Sequence, residues 1–221
     1  MTGLEENLIQ IRGNIEKACL SVGRDPNAVK ILAATKTVSA ERINLLSERG
    51  LTLAGENRVQ EFLAKSDAVR NIEWHFIGSL QSNKVKYIID KVTLIHSLDR
   101  IALADELEYQ SAKRGRISEV LIEINGGAED SKSGVRLEQL EALYQYTLQK
   151  PHIRVAGFMP VLPVGAPEEL YAQMHRVFCD YQSRDKSFRE LSMGMSGDYE
   201  TAVRYGATIV RLGSCIFGER Q

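Results

Sequence analysis

The chain has 221 residues, with 28 Lys and Arg against 29 Asp and Glu, for a net charge of −1. That balance lacks the basic footprint a phosphate-backbone binder needs, so nucleic acid is excluded as a principal partner. Apolar residues at 43% and charged residues at 26% belong to a packed globular protein and exclude the disordered, collagen-like and membrane-spanning classes.

The first element is an amphipathic helix: Leu4, Leu8, Ile11, Ile15, Ala18 and Cys19 recur three or four apart, and Gly23 can close it. The opening MTGLEENLIQ has no basic n-region or apolar h-region, and no stretch of about 18 apolar residues follows. Short apolar runs then alternate with helical periodicity. The strands are predicted at VKILAAT (29–35), LTLAG (51–55), WHFIG (74–78), VTLIH (92–96), EVLIEIN (119–125), IRVAGFM (153–159), ELSMGMS (190–196) and TIVRLG (208–213). The clearest helices between them carry Leu137, Leu140, Leu143, Tyr144, Thr147 and Leu148, then Leu170, Met174, Val177, Phe178 and Tyr181. The stretch 160–167, between two prolines, is expected to be a loop.

Continuous apolar strands separated by helices imply a parallel sheet covered on its faces. Eight such units predict an α/β fold of the (β/α)8 TIM barrel type with an extra N-terminal helix, one domain over 1–221. A Rossmann-like open sheet is disfavoured because ATKTVSAERI, after the first strand, contains no glycine. Cys19, Cys179 and Cys215 are odd in number and match no metal-ligand spacing. They read as small buried hydrophobes in a reducing compartment, which places the protein in the cytoplasm without a metal.

In such barrels the active site forms at the C-terminal strand ends. Lys36 ends a run of alanines, where an apolar mouth would desolvate its ammonium and leave an amine able to attack an aldehyde, as a Schiff-base lysine must; the plainer reading is a solvated lysine at a strand exit. The loops after strands seven and eight are the recurrent phosphate site of these folds. Ser196 and Gly197 precede a short helix starting near Tyr199, and Gly213 and Ser214 follow strand eight, so backbone N–H groups could approach an anion closely. An N-cap serine and a turn glycine explain the same residues. Arg211, within an apolar strand, needs an acceptor, either a ring nitrogen or an acidic partner. GENRVQE offers Asn57 to a ligand and Glu56 or Arg58 to a local ion pair. Of Trp74 and His75, alternation turns one toward the barrel and one toward the helices. His75 and His96 read as structural, His152 and His175 as surface or packing residues, and Asp198 and Glu200 should point away from any phosphate.

These residues, with AATKT, GENRVQE, WHFIGSLQSNK, HSLDR, EINGGAEDSKSGV and MGMSGDYETAVRYGATIVRLGSCIFGER, make the chain resemble, end to end, the pyridoxal phosphate homeostasis protein family. Its barrel is similar to the N-terminal domain of fold-type III enzymes such as alanine racemase. The resemblance implies that Lys36 carries the aldehyde of pyridoxal 5'-phosphate (PLP), that Ser196, Gly197, Gly213 and Ser214 hold its phosphate, that Arg211 faces the pyridine nitrogen and that Asn57 lies beside the ring. GFMPVLPVGA departs from the family pattern and alters the rim of the site.

The resemblance also sets a carrier of PLP against a racemase. The enzymes carry a second domain for which no room is expected here, the chain ending at Gln221, and Arg211 would weaken the ring as an electron sink. The expectation is a PLP-binding monomer with no catalytic residue. It would hand the cofactor to PLP-dependent apoenzymes or report its state to a regulatory protein.

Overall fold

The computed structural model describes residues 3–127 and 133–218. Residues 128–132 of the EINGGAEDSKSGV stretch and 219–221 of the closing one lie outside the described residues. Eight strands run parallel: β1 Lys30–Ala34, β2 Leu53–Glu56, β3 Glu73–Phe76, β4 Leu94–Leu98, β5 Ser118–Asn125, β6 Ile153–Val161, β7 Glu190–Leu191 and β8 Ile209–Leu212. Their spatial order is β7-β6-β5-β4-β3-β2-β1-β8. The two ends are joined by a parallel bridge between Ser192 and Ile209. Backbone bonds from Thr208 to Leu191 (2.9 Å), from Met193 to Ile209 (3.0 Å) and from Arg211 to Gly194 (3.0 Å) extend that seam, giving the expected α/β barrel.

The helices are α1 Gly3–Leu20, α2 Ala40–Ser47, α3 Val59–Lys65, α4 Val85–Ile88, α5 Ile101–Lys113, α6 Leu137–Leu148, α7 Glu168–Arg184, α8 Tyr199–Arg204 and α9 Ser214–Phe217. The extra helix α1 is tied to the last two: Asn7 donates to the Ile216 carbonyl, and Asn14 donates to the Tyr199 hydroxyl and to Glu200, each at 3.0 Å.

Strand alternation divides the core in two. Outward residues such as Ala33, Ala54, Trp74, Phe76, Val120, Leu191 and Val210 pack against the helices in the large core. Inward residues Leu32, Ile77, Leu94, Leu121, Ala156, Met159 and Ile209 fill the barrel itself. The parity of β1 carries inward from Leu32 through Ala34 to Lys36. Trp74 faces the helices, edge-on to Phe62 at 5.4 Å, so His75 faces the barrel.

Three expectations need correction. The ordered part of β7 is two residues rather than the span 190–196, because Gly194 at φ 96° breaks extended geometry. β6 runs past Pro160 to Val161, into the supposed loop. Pro160 is tolerated because the Phe158 carbonyl, two residues back, is the last on that side to meet β7, through the Ser192 N–H at 2.9 Å; a missing N–H beyond it breaks no ladder. Of the cysteines, only Cys19 is buried; Cys179 is exposed on α7 and Cys215 half-buried.

Candidate functional site

Lys36 follows β1 at the barrel mouth. The turn that holds it is clamped from behind. Thr37 has φ 64°, a conformation that strains a β-branched residue, and its N–H donates to Glu61 at 2.9 Å. Lys65 of α3 donates to the carbonyls of Thr35 (2.7 Å) and Val38 (3.1 Å), on either side of Lys36. Its third donor meets fully buried Glu56. Glu56 in turn accepts from the Thr35 hydroxyl (2.7 Å) and the Asn57 N–H (3.1 Å). Every donor of the buried ammonium is thus used. The ion pair expected of Glu56 or Arg58 within their own segment is divided: Glu56 reaches Lys65, while exposed Arg58 approaches Glu61 at 3.6 Å.

Lys36 is exposed, which corrects the expectation that an apolar mouth desolvates it. The strand delivers the side chain past the last inward alanine, into open space. Among the described residues its amine has neither a hydrogen-bond nor an ion-pair partner.

Asn57 stands one strand away. Its backbone is fixed by Gly78, where a Cβ would lie 2.1 Å from the Asn57 carbonyl oxygen, yet its side-chain Oδ1 is buried without a hydrogen-bond partner. Such an orphaned acceptor marks a place where a ligand donor fits.

Arg211 is inward on β8 and 7% exposed. Burial lowers its pKa to about 10, so it remains a cation at neutral pH. No acid forms an ion pair with it among the described residues. Its NH1 donates to the Ser192 carbonyl (2.5 Å) and hydroxyl (3.0 Å); the other edge of the guanidinium makes no hydrogen bond there.

The two small-residue loops meet. The Ser196 hydroxyl accepts from the Gly213 N–H at 3.1 Å and the Cys215 N–H at 3.3 Å. Ser214 and Gly197 are exposed beside them, and a Cβ on Gly197 would touch nothing within 4 Å. Asp198 turns away, accepting from the Tyr171 hydroxyl (2.6 Å) and the Met195 N–H (2.6 Å), and Glu200 faces Asn14. An aldehyde, a ring with a hydrogen-bonding nitrogen and an anionic group would each find a suitable partner here, so the residues fit PLP.

Two further features go beyond the sequence reading, which leaves Glu123 unassigned and takes His75 and His96 as separate structural residues. Glu123, inward on β5 and 3% exposed, accepts from Ser133 at 2.5 Å, and burial raises its carboxyl pKa. His75 and His96 touch, Nδ1 to Nε2 at 2.9 Å. The detectable signal was parity: both histidines occupy inward positions of adjacent strands.

The profile of the alanine racemase N-terminal domain matches residues 7–221. The pyridoxal phosphate homeostasis protein of Aquifex aeolicus (strain VF5) is 46% identical over 226 residues, covering 98% of each chain. That of Escherichia coli (strain K12) is 36% identical, covering all of this chain and 98% of its own. The structure of PipY from Synechococcus elongatus PCC7942 with PLP bound superposes with a TM-score of 0.82 at 30% identity, over 97% of this chain and 100% of that one. Alanine racemase from Corynebacterium glutamicum shares the fold at 18% identity and a TM-score of 0.69, this chain spanning 60% of its length. The chain belongs to the pyridoxal phosphate homeostasis protein family, built on the barrel of the alanine racemase N-terminal domain.

Proposed function

We propose that the chain, as one unit over 1–221, binds the vitamin B6 cofactor PLP covalently and reversibly through Lys36 and serves intracellular PLP homeostasis, with consequences for amino-acid and keto-acid balance. The observation that carries this is the unpartnered Lys36 amine at the same barrel mouth as an uncommitted guanidinium edge and an orphaned Asn57 oxygen. Ser196, Gly197, Gly213 and Ser214 are the residues that would hold the phosphate.

When bound, PLP supplies an aldehyde for the amine and an electron-accepting ring. Arg211 stays protonated, so it can only donate to a ring nitrogen, which weakens that ring as a sink for carbanion chemistry. Lys36 is exposed, and among the described residues no acid or base is hydrogen-bonded to its amine. Storage and release suit this arrangement better than racemisation. The protein is proposed to act as a cytoplasmic monomer that delivers PLP to apoenzymes or reports its state to a regulatory protein. Among the described residues no helix is long and apolar enough to cross a membrane.

Purified wild type and Lys36→Ala are to be compared by visible absorbance before and after borohydride, then by amino-acid α-proton exchange. A band that needs Lys36 and yields to borohydride is expected, with exchange no faster than free PLP gives. Exchange well above that of free PLP with any amino acid would make the protein an enzyme and overturn the reading.

A further inference from the structure

A single file of polar side chains runs through the barrel from its N-terminal floor to Arg211. Glu73 Oε1 lies 3.4 Å from His75 Nε2. His75 Nδ1 lies 2.9 Å from His96 Nε2, and His96 Nδ1 lies 3.1 Å from the Ser192 hydroxyl, which takes NH1 of Arg211 at 3.0 Å. The middle of the file is buried, His75 at 4% exposure, His96 and Ser192 at 0%. The Glu73 side chain, at 56% exposure, opens it to solvent.

The two ends dictate direction. A guanidinium only donates and a carboxylate only accepts. With both imidazoles neutral, His75 donates from Nε2 to Glu73 and accepts at Nδ1. His96 must then donate from Nε2, which leaves its Nδ1 to accept from the Ser192 hydroxyl. That hydroxyl accepts from Arg211, and every link is satisfied.

A proton entering from the floor reverses this. Doubly protonated His75 donates from both nitrogens, so His96 must accept at Nε2 and carry its hydrogen on Nδ1. The Ser192 oxygen then faces two donors, His96 and Arg211, and its own hydrogen loses its only acceptor among the described residues. His96 cannot absorb the extra proton, because full burial, with the charges of His75 and Arg211 beside it, holds its pKa well below the ordinary value. The hydrogen bond from His75 holds the Glu73 carboxyl down at about 2, so the acceptor persists through the neutral and mildly acidic range.

We infer that Glu73, His75, His96 and Ser192 are positioning residues for Arg211, and that proton uptake at the barrel floor reverses their hydrogen bonds and loosens Arg211, coupling PLP affinity to pH from the end opposite the site. The inference rests on the proposed reading that Arg211 faces the cofactor. Other charges around His75 are already engaged. Lys30 of β1 pairs with Glu190 of β7 at 2.5 Å, and Glu119 of β5 pairs with Arg189 and, at 3.5 Å, with Arg154. That leaves Glu73 and His96 as the groups in contact with the His75 ring.

Two measurements test it on the full chain. Histidine 15N NMR of the PLP-free protein should show His96 with hydrogen on Nε2 at pH 8 and on Nδ1 near pH 5. PLP titration by absorbance should show wild-type affinity falling about fivefold or more between those values, beyond the fall shared by a variant. That variant is Glu73→Gln, at an exposed position that leaves folding intact. It removes the carboxylate that accepts from His75 Nε2, so its affinity profile should differ from that of wild type. A fixed His96 tautomer, or identical affinity profiles for wild type and Glu73→Gln, would overturn the inference. Failure of PLP to form a Lys36-dependent band at any pH, with the tautomer still switching, would instead sink the reading of the site, and the pH coupling with it.

Discussion

The two ends of the barrel treat their polar groups in opposite ways. At the floor, charges are matched across strands: Lys30 meets Glu190, which also accepts from Thr208 at 2.8 Å, Glu119 takes Arg189 and Arg154, and Glu73 accepts from Thr93 at 2.8 Å. At the mouth, the Lys36 amine is unpartnered among the described residues, the Asn57 oxygen is orphaned, and Arg211 commits only NH1. The same strands supply both ends, so what differs is whether a neighbouring strand answers each group. The answered end is built for stability, and the proposed reading assigns ligand binding to the unanswered one.

The strongest challenge to that division lies just behind the mouth, where Lys65 and Glu56 are paired as fully as anything at the floor. Lys65→Met leaves the Glu56 carboxylate buried without its cation, which should cost about 3–5 kcal/mol in urea denaturation. It also frees the carbonyls of Thr35 and Val38, so attachment of PLP at Lys36 should slow in the protein that remains folded. Replacing both partners, as Lys65→Met with Glu56→Gln, should recover much of the stability but not the attachment. Recovery of both would show that the clamp does not position Lys36.

Gly78→Ala tests the same boundary with a smaller perturbation. The added methyl meets the Asn57 backbone at 2.1 Å from its oxygen and 2.6 Å from its Cα, contacts that rigid backbone can relieve only by moving. A loss of about 1–3 kcal/mol is expected, with weakened PLP binding because Asn57 shifts. Thermal melts beside PLP titration separate the two effects.

Glu123 is a mouth residue whose burial works against it. Its folded-state pKa is raised, so the folded protein holds that proton more tightly than the unfolded chain, whose glutamates titrate at about 4.3. The associated stability is present below the unfolded value and lost as pH rises through the folded one. Glu123→Gln should therefore melt higher than wild type at pH 8 and match it at pH 4. Equal melting at both would show that the Ser133 hydroxyl and the positive charges of Arg211 and Arg100, both near enough to Glu123 to favour its carboxylate, offset the burial.

The fold was legible because strands buried on both faces are written as apolar runs such as KILAA and SEVLIEIN, and parity then assigns each residue a face. Lys36 and Asn57 stood out as polar residues closing apolar runs and Arg211 as a charge inside one, while their roles toward a cofactor came from the family resemblance alone. What parity cannot give is which inward groups touch across strands. His75 and His96 looked like two isolated structural histidines until β3 and β4 set them at 2.9 Å. Lys65, on a helix, carried no hint that it would turn inward to Glu56. Nor did composition show that Lys36 would be exposed, since that depends on how far the turn after Ala34 projects from the barrel.

The floor gives the smallest expected effect and the cleanest control. The Arg189 side chain is 46% exposed and its partner Glu119 is 26% exposed, with Arg154 in reserve at 3.5 Å. Water screens this pair, and Arg189→Ala should cost only about 0.2–1 kcal/mol while leaving the PLP absorbance band and its pH profile unchanged. A change in that profile would mean that floor charges other than Glu73 reach the mouth, whether or not through His75, His96 and Ser192.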